Sequence, residues 1–245
     1  MRESQNQSSR FKDAPWFPRN QESVFVGGSG GIGSWLAFFL AKIGFQAIVY
    51  DFDTIEEHNL GGQLFRQSDI GSPKVDALNS IINEFCGDNI STSTTPVTIN
   101  TPHCQFTFSA FDNMKARKDL FEVWKRSVTE WRENQVKVAA LQEGEELEKL
   151  PIPIYIDGRL EMEQLQIFCV TPEWITEYEK YLFDDSQVAD APCTMKQTSH
   201  TAAMIASMMT AFFTNHIANV YSGEVIREVP FYYEFIVPMN LTTTR

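Results

Sequence analysis

A glycine-rich turn and a later carboxylate are the first residues whose types and spacing suggest chemistry. Gly28, Gly30 and Gly33 give the spacing Gly-x-Gly-x-x-Gly, with Gly31 inside it, and Asp51 follows 18 residues after Gly33. Glycines let the backbone approach a phosphate closely, and a helix that begins at such a turn offers free N–H groups. A carboxylate after the next strand can bind ribose hydroxyls. The pattern predicts a nucleotide site; the alternative is a glycine turn that only packs a helix against a strand.

Further polar residues follow at the ends of predicted elements. In chain order they are Asp53, Asn59, Gln63, Lys74, Asp112, Asn113 and Arg117. NAD is the most common ligand of the glycine spacing. However, the sequence has no Tyr-x-x-x-Lys motif and no evident hydride-transfer histidine, which argues against an NAD oxidoreductase.

Together these motifs resemble those of the ThiF/MoeB/HesA superfamily of ubiquitin-activating-type adenylyltransferases. The shared features are the glycine loop, an Asp-Phe-Asp with a nearby Asn-Leu, a Pro-Lys that opens the next helix, and an Asp-Asn with a downstream Arg. The resemblance is strong over residues 23–117 and thinner beyond them. It implies an enzyme that uses ATP and Mg²⁺ to convert the C-terminal carboxylate of a small ubiquitin-like or sulfur-carrier protein into an acyl adenylate. It also implies a homodimer.

The resemblance assigns roles residue by residue. It implies that Asp51 holds the ribose, Asn59 approaches the phosphates and Lys74 contacts the triphosphate. Asp112 would carry Mg²⁺, a hard cation that prefers carboxylate and phosphate oxygens; the alternative for Asp112 is an N-cap of the next helix. Arg117 is expected to be a positioning or structural partner. The other expected nucleotide-binding residues are Gly28, Gly30, Gly31, Gly33, Asp53, Gln63, Arg66 and Asn113.

The sequence departs from the family pattern at two points. Family members usually carry an arginine immediately before the position of Gln63, where this chain has Gly62. Arg66 could replace that cation within the chain, and Arg10 or Arg19 could supply it to a neighbouring subunit. The chain also lacks the pair of Cys-x-x-Cys motifs, so no structural zinc is expected.

Cys193 is the candidate catalytic cysteine. It precedes a predicted helix, whose N-terminus would lower the pKa of its thiol, and some relatives use a cysteine to accept the acyl group as a thioester. The alternative is a buried, inert cysteine. Cys86, Cys104 and Cys169 are expected to pack beside apolar elements.

The elements that must position these residues alternate between strands and helices. Apolar periodicity predicts strands at 23–26, 47–50, 106–110, 154–156, 164–170 and 231–237, and helices at 34–43, 74–85, 113–131 and 201–220. This alternation predicts an α/β fold, a Rossmann-like doubly wound, mostly parallel sheet with helices on both faces. Residues 1–22 are predicted to form an N-terminal arm and residues 23–245 a single adenylation domain.

Composition excludes some partners. The 245 residues include 20 Lys and Arg against 32 Asp and Glu, a net charge of −12. Such a surface repels a phosphate backbone, so nucleic-acid binding is not expected. The most apolar stretch, 202–213, is shorter than the roughly 20 residues of a spanning helix, and the N-terminus has no signal-peptide pattern. We therefore expect a soluble, cytoplasmic protein without membrane contact.

Two alternatives to the adenylyltransferase stay open. The first is a catalytically impaired nucleotide-binding or interaction module of the same fold, which Gly62 favours. The second is an ATP-dependent cyclodehydratase that modifies tRNA, which the net charge of −12 disfavours.

Overall fold

Strands and helices alternate through the first half of the chain. The computed structural model describes residues 10–19, 22–87, 89–141, 147–148, 150–183 and 198–245. The strands are β1 (Ser23–Gly27), β2 (Gln46–Tyr50), β3 (Ile90–Ser93), β4 (Phe106–Ser109), β5 (Ile154–Glu161), β6 (Gln164–Val170), β7 (Tyr232–Ile236) and β8 (Leu241–Thr244). The helices are α1 (Gly31–Lys42), α2 (Lys74–Cys86), α3 (Met114–Ala139), α4 (Ile175–Glu179) and α5 (Ser199–Ser222).

The eight strands form one sheet in the order β3-β2-β1-β4-β5-β6-β7-β8. The first five strands in this order pair in parallel, and the remaining pairs are antiparallel. Because the strands on either side of β1 are reached by crossovers in opposite directions, β1 lies at the switch point of a doubly wound sheet. The predicted α/β, mostly parallel architecture is confirmed.

Two apolar layers cover the two faces of the sheet. Along β1, Val24 and Val26 point into a core shared with α1, α2 and α5, whereas Phe25 points into a second core shared with α3 and α4. In β5, Tyr155 likewise packs on the α3 side and its neighbours on the other. Side chains alternate across a strand, so a central strand buried on both faces is apolar throughout. This is why β1 and β5 are readable as short apolar runs.

The two edge strands were missed by the sequence reading. β3 has the sequence Ile-Ser-Thr-Ser and buries only Ile90, and β8 is Leu-Thr-Thr-Thr, with Leu241 half exposed. An edge strand has a neighbour on one side only and needs few apolar residues, so its sequence gives little periodic signal.

Helix α3 extends beyond its predicted end at Trp131 and reaches Ala139. The added turns are polar and mostly exposed, so hydrophobic periodicity ends before the helix does. Glu, Gln, Lys and Ala in this stretch favour helix on their own. The sequence 142–149 is polar and acidic, which predicts a surface loop, and this segment lies largely outside the described residues. The segment 173–191, predicted to be a crossover rich in Asp and aromatic residues, is described as far as residue 183 and contains α4.

Part of the predicted arm contacts the body of the protein. Trp16 packs against the core that α1 and α5 share, and the Arg19 guanidinium lies 4.2 Å from the centroid of the Tyr221 ring on α5. The division into an arm and one domain stays a prediction. None of the helices in the described ranges combines the length and apolarity needed to cross a membrane.

Helix α5 buries a histidine in the core. His216 is 5% exposed, lies edge-on to Phe106, and has its Nε2 atom 2.8 Å from the carbonyl oxygen of Ile152. Nε2 must be the donor, because a carbonyl only accepts. Burial lowers the pKa of His216 to about 4, against the opposing effect of this hydrogen bond. The imidazole is therefore neutral at pH 7.

Lowering the pH should reduce the free energy of unfolding, because His216 is buried in its neutral form. Below about pH 6.5 the unfolded chain binds a proton at His216, and the folded chain does so only near pH 4, so stability falls between these values. From pH 7 to 4.5 the free energy of unfolding of the wild type should fall by about 2.5 kcal/mol more than that of His216→Gln. Chemical denaturation at both pH values measures this. The exposed His103→Gln is the control and should keep the wild-type slope; an unchanged slope in His216→Gln would contradict the assignment.

Candidate functional site

The loops after β1, β2 and β4 meet at the carboxyl edge of the sheet. The Gly28 amide donates to the carbonyl of Tyr50 at 2.9 Å, and the Ala110 amide donates to the carbonyl of Gly27 at 2.8 Å. The glycine turn, the Asp51 turn and the Asp112 turn are therefore joined through the backbone. Ligands of doubly wound sheets bind at this edge, next to the switch point.

The glycine turn is tightly packed at one end and open at the other. Gly28 has a φ of +87°, a conformation that favours glycine, and a Cβ on Gly33 would lie 1.8 Å from the carbonyl oxygen of Gly28. At Gly30, by contrast, the nearest atom to an added Cβ is Nε2 of Gln63, at 4.0 Å. Helix α1 begins at Gly31, so its first N–H groups lie at this open end. Such N–H groups can bind a phosphate.

Asp51 holds the glycine turn in place. Its Oδ2 atom accepts hydrogen bonds from the backbone amide and the hydroxyl of Ser29, at 2.7 and 2.9 Å. Its Oδ1 atom accepts from the amide of Asp53 at 2.9 Å. Sequence reasoning gave Asp51 a role toward the ribose but missed Ser29, whose place within the glycine spacing was the available signal. Two oxygens offer about four acceptor positions, and three are used here.

Lys74 lies beside the Asp51 turn. Its Nζ atom donates to the Asp53 carboxylate at 2.8 Å, and its backbone amide donates to the Asp53 carbonyl at 2.9 Å. The Lys74 side chain is 9% exposed, whereas that of Asp53 is 52% exposed. The ammonium is thus held at the start of α2 by a partner that solvent can reach. The two residues, both predicted from the sequence, form one ion pair.

The loop that carries Asn59 and Gln63 is fastened to α1. The indole N–H of Trp35 donates to the carbonyl of Gly62 at 3.2 Å, and the amide of Leu64 donates to the hydroxyl of Ser34 at 3.0 Å. Asn59 is buried and accepts from the amide of Glu56 at 2.9 Å, which shapes the short 3₁₀ turn at Glu57–Gly61. These bonds put Gln63 next to the open end of the glycine turn.

Two of the three arginines suggested as substitutes at Gly62 have other partners here. Arg66 forms an ion pair with Glu84 of α2, and both side chains are substantially exposed. Arg19 lies over Tyr221, and Arg10 is exposed. Lys74 is therefore the cation that the described contacts bring to the Asp51 turn, and the substitution by Arg66, Arg10 or Arg19 stays a prediction.

Asp112 and Asn113 lie in the turn between β4 and α3, where a helix cap and a magnesium ligand were both considered for Asp112. The Asn113 side chain caps α3 by accepting from the Ala116 amide at 2.8 Å, and its amide group donates to Asp112 at 3.3 Å. The alternative role of Asp112 as the helix cap is therefore taken by Asn113. Asp112 is exposed. Its carboxylate suits Mg²⁺, which is commonly bound by one or two carboxylates together with substrate phosphates. No group of three or more His, Cys, Asp or Glu that could hold a metal occurs among the described residues.

Arg117, expected to be a positioning or structural partner, is buried. Its guanidinium donates to the carboxylate of Asp157 on β5, to the carbonyl of Gly158 at 3.1 Å, and to the carbonyl of Phe111. Asp157 is fully buried. Burial alone would raise the pKa of Asp157, but Arg117 and Arg159 hold it below its usual value. Sequence reasoning missed Asp157; an aspartate within the apolar strand Ile-Tyr-Ile-Asp was the available signal.

The candidate catalytic cysteine, Cys193, lies outside the described residues, so its role stays a prediction. The helix expected to follow it begins at Ser199 and carries a capping box between Thr198 and Thr201. The other three cysteines, Cys86, Cys104 and Cys169, are partly or fully buried, and burial raises the pKa of each thiol. Raised values disfavour the reactive thiolate.

The close approach at Gly33 can be tested by adding one methyl group. Gly33→Ala should lower the free energy of unfolding by about 1–3 kcal/mol, since the new Cβ overlaps the Gly28 carbonyl and backbone must move. Gly61→Ala, where an added Cβ meets nothing within 4 Å, is the matched control and should change stability by less than about 0.5 kcal/mol. Urea denaturation measures both; equal stabilities would contradict the packing described here.

Comparison with known proteins adds a family to this geometry. The family model of the ThiF family matches residues 19–232. PaaA superposes with a TM-score of 0.63 at 15% identity, covering 92% of this chain and 72% of PaaA. MccB of E. coli, solved with ATP, superposes with a TM-score of 0.59 at 17% identity, covering 91% of this chain.

MccB solved with MccA gives a TM-score of 0.60 at 17% identity and 91% coverage of this chain. This chain spans 63% of the length of MccB in both structures. Among curated proteins no sequence match is found. At these identities the superpositions show the fold, and the family model covers most of the sequence. This chain belongs to the ThiF family.

Proposed function

We propose that this protein is an ATP- and Mg²⁺-dependent adenylyltransferase that activates the C-terminal carboxylate of a small protein as an acyl adenylate. One observation carries the proposal: the glycine turn, the Asp51–Lys74 region and the Asp112 turn meet at one edge of the sheet. The residues proposed to bind phosphate, ribose and magnesium therefore lie near one another and near the Lys74 cation. Membership of the ThiF family supports the same reading.

The nucleotide would lie along the loops in a definite order. Gly28, Gly30 and the N-terminus of α1 would bind phosphate oxygens through backbone N–H groups. Asp51 retains one acceptor position for a ribose hydroxyl. Lys74 would exchange its bond to the exposed Asp53 carboxylate for one to the triphosphate. ATP is supported as the nucleotide by MccB, which was solved with it.

The reaction needs positive charge, because both reactants are anions. A carboxylate oxygen of the partner attacks the α-phosphorus, forming an acyl–phosphate bond while the bond to the leaving pyrophosphate breaks. Mg²⁺ held by Asp112 would neutralise phosphate oxygens. Lys74 would stabilise the charge that develops on the leaving group. Cys193 is proposed as a later acceptor of the acyl group, with AMP released.

We propose a ubiquitin-like or sulfur-carrier protein as the partner. That MccB was solved with MccA supports a separate molecule as second substrate. The net charge of −12 favours a partner that is neutral or basic around its C-terminus. The same charge disfavours the tRNA-modifying cyclodehydratase and any other nucleic-acid partner. We further propose that the protein works in the cytoplasm.

The impaired binding module remains the second candidate, and Gly62 favours it. With Arg66 on Glu84, the described contacts bring one cation, Lys74, to the Asp51 turn. A module of this kind would bind ATP yet form no adenylate. Pyrophosphate exchange in the presence of the partner separates it from the enzyme.

We also propose that the protein is a homodimer, associated through the outer surface of α1 and α5. Large apolar side chains on these helices pack against the core yet keep part of their surface exposed: Trp35, Phe38, Phe39, Met204 and Met208. An apolar surface of this kind is typical of an interface between subunits.

Nucleotide binding is the first test. Calorimetric titration should show saturable binding of ATP with Mg²⁺ and none of NAD. Asp112→Ala should weaken binding in Mg²⁺ by about tenfold or more, because loss of a charged metal ligand costs at least about 1.4 kcal/mol. Asp119→Ala is the control: it removes an acid from α3, the helix that follows Asp112, where Asp119 is paired with Lys115. This variant should bind ATP like the wild type.

Two outcomes would contradict this proposal. Binding of NAD without ATP would make the protein an oxidoreductase. An Asp112→Ala variant with wild-type affinity in Mg²⁺ would remove Asp112 from the site.

The proposed dimer predicts a mass that depends on α5. Sedimentation velocity should give twice the chain mass for the wild type and a shift toward monomer for Met208→Glu, because a buried carboxylate would face the apolar partner surface. Met162→Glu, at the exposed tip of the β5–β6 hairpin, should leave the mass unchanged. A wild-type monomer at micromolar concentration would overturn the proposal.

A further inference from the structure

A buried carboxylate on β5 is shared between two parts of the molecule. Asp157 Oδ1 accepts from Arg117 of α3. Its Oδ2 accepts from Nε of Arg159 at 2.8 Å and from the hydroxyl of Tyr178 at 2.9 Å. The carboxylate itself has no exposed surface. Each oxygen therefore has its own charged partner.

The two oxygens are connected to different elements. Through Oδ1, Arg117 continues to the carbonyl of Phe111, the residue immediately before Asp112. Through Oδ2, Arg159 continues to the carbonyl of Tyr181 at 3.1 Å, just after α4. One side thus leads to the candidate magnesium ligand, and the other leads to a crossover on the α3 face of the sheet.

Stability alone does not account for this arrangement. Burying a carboxylate with two guanidinium groups carries a large desolvation cost, and apolar residues of similar volume commonly stabilise a core as well or better. The Arg117 guanidinium fixes the relative positions of its acceptors. Because the group is planar and its N–H bonds have fixed directions, it holds three acceptors in one geometry. The carbonyl of Phe111 is one of those acceptors, so a buried side chain holds the backbone that leads into the Asp112 turn. On the other side of this turn, the exposed Asn113 side chain caps α3.

We propose that Asp157 is a positioning residue for the nucleotide site: by orienting the Arg117 guanidinium it fixes the Phe111 carbonyl and hence the direction of the adjacent Asp112 carboxylate toward magnesium. This inference rests on the proposed function. It assigns the other oxygen of Asp157, with Tyr178, to the placement of α4. Loss of the Oδ1 side should therefore affect magnesium, and loss of the Oδ2 side should not.

Two variants separate the sides of the carboxylate. Arg117→Lys keeps a cation beside Asp157 but removes the fork that reaches Phe111. Tyr178→Phe removes a hydrogen bond to the other oxygen of the same carboxylate. The measurement is the Kd of ATP by calorimetry over a series of Mg²⁺ concentrations, with EDTA as the metal-free point, together with the Tm of each protein.

Arg117→Lys should need about tenfold more Mg²⁺ for half of the magnesium-induced gain in affinity, the size of effect typical of outer partners of metal ligands. Its Kd in EDTA should equal that of the wild type. Tyr178→Phe should lose thermal stability and keep the wild-type Mg²⁺ dependence. If Arg117→Lys does not fold, Asp157→Asn, which keeps the side-chain volume, takes its place with the same expectation.

The outcomes distinguish this inference from the proposed function. Equal Mg²⁺ dependence in Arg117→Lys and Tyr178→Phe would mean that the buried cluster is merely structural and would overturn the positioning role alone. A wild-type protein that binds no ATP, with or without Mg²⁺, would overturn the proposed function and this inference with it.

Discussion

The close approach of Gly33 to the carbonyl of Gly28 is the constraint on which the geometry of the candidate site depends. Helix α1 can approach β1 this closely because neither position carries a side chain that would intervene. The depth of that approach sets where the next residues of α1 lie. Ser34 and Trp35 then reach the loop that contains Asn59 and Gln63. The backbone contact in the glycine turn therefore contributes to the position of a loop about thirty residues away.

Charge is distributed unevenly between the surface and the interior of this site. Asp53, the partner that Lys74 would release, and Asp112, the proposed magnesium ligand, are accessible to solvent. The carboxylate of Asp157, which is proposed to hold the Asp112 turn, is buried and ionised. A solvated carboxylate can exchange partners at little cost. A buried one that loses its partner leaves an uncompensated charge. The rigid part of the site is thus inside the sheet–helix layer, and the exchangeable part faces solvent.

The sequence predicted those parts of the protein whose structure depends on residues close together in the chain. The glycine turn, the strand before it and the carboxylate after β2 could be read directly, because each depends on spacing within one strand–helix unit. The bonds from Ser29 to Asp51 and from Arg117 to Asp157 could not be predicted, since each joins residues that are far apart in the sequence and belong to different loops or elements. The same holds for the pair of Arg66 with Glu84. The edge strands β3 and β8 were not predicted, because a strand that pairs on one side only needs few apolar residues and shows no apolar periodicity.

The bond from Trp35 to Gly62 separates the attachment of this loop to α1 from the charge of the side chain at residue 62. Trp35 donates to a backbone carbonyl, which every amino acid supplies, and Gly62 has a φ of −125°, which any residue adopts. The hydrogen bond itself therefore does not require a particular side chain at residue 62. Gly62 is buried, so an arginine there would also need room for its side chain. The bond to α1 and the charge of the site are thus set by different atoms of the same residue.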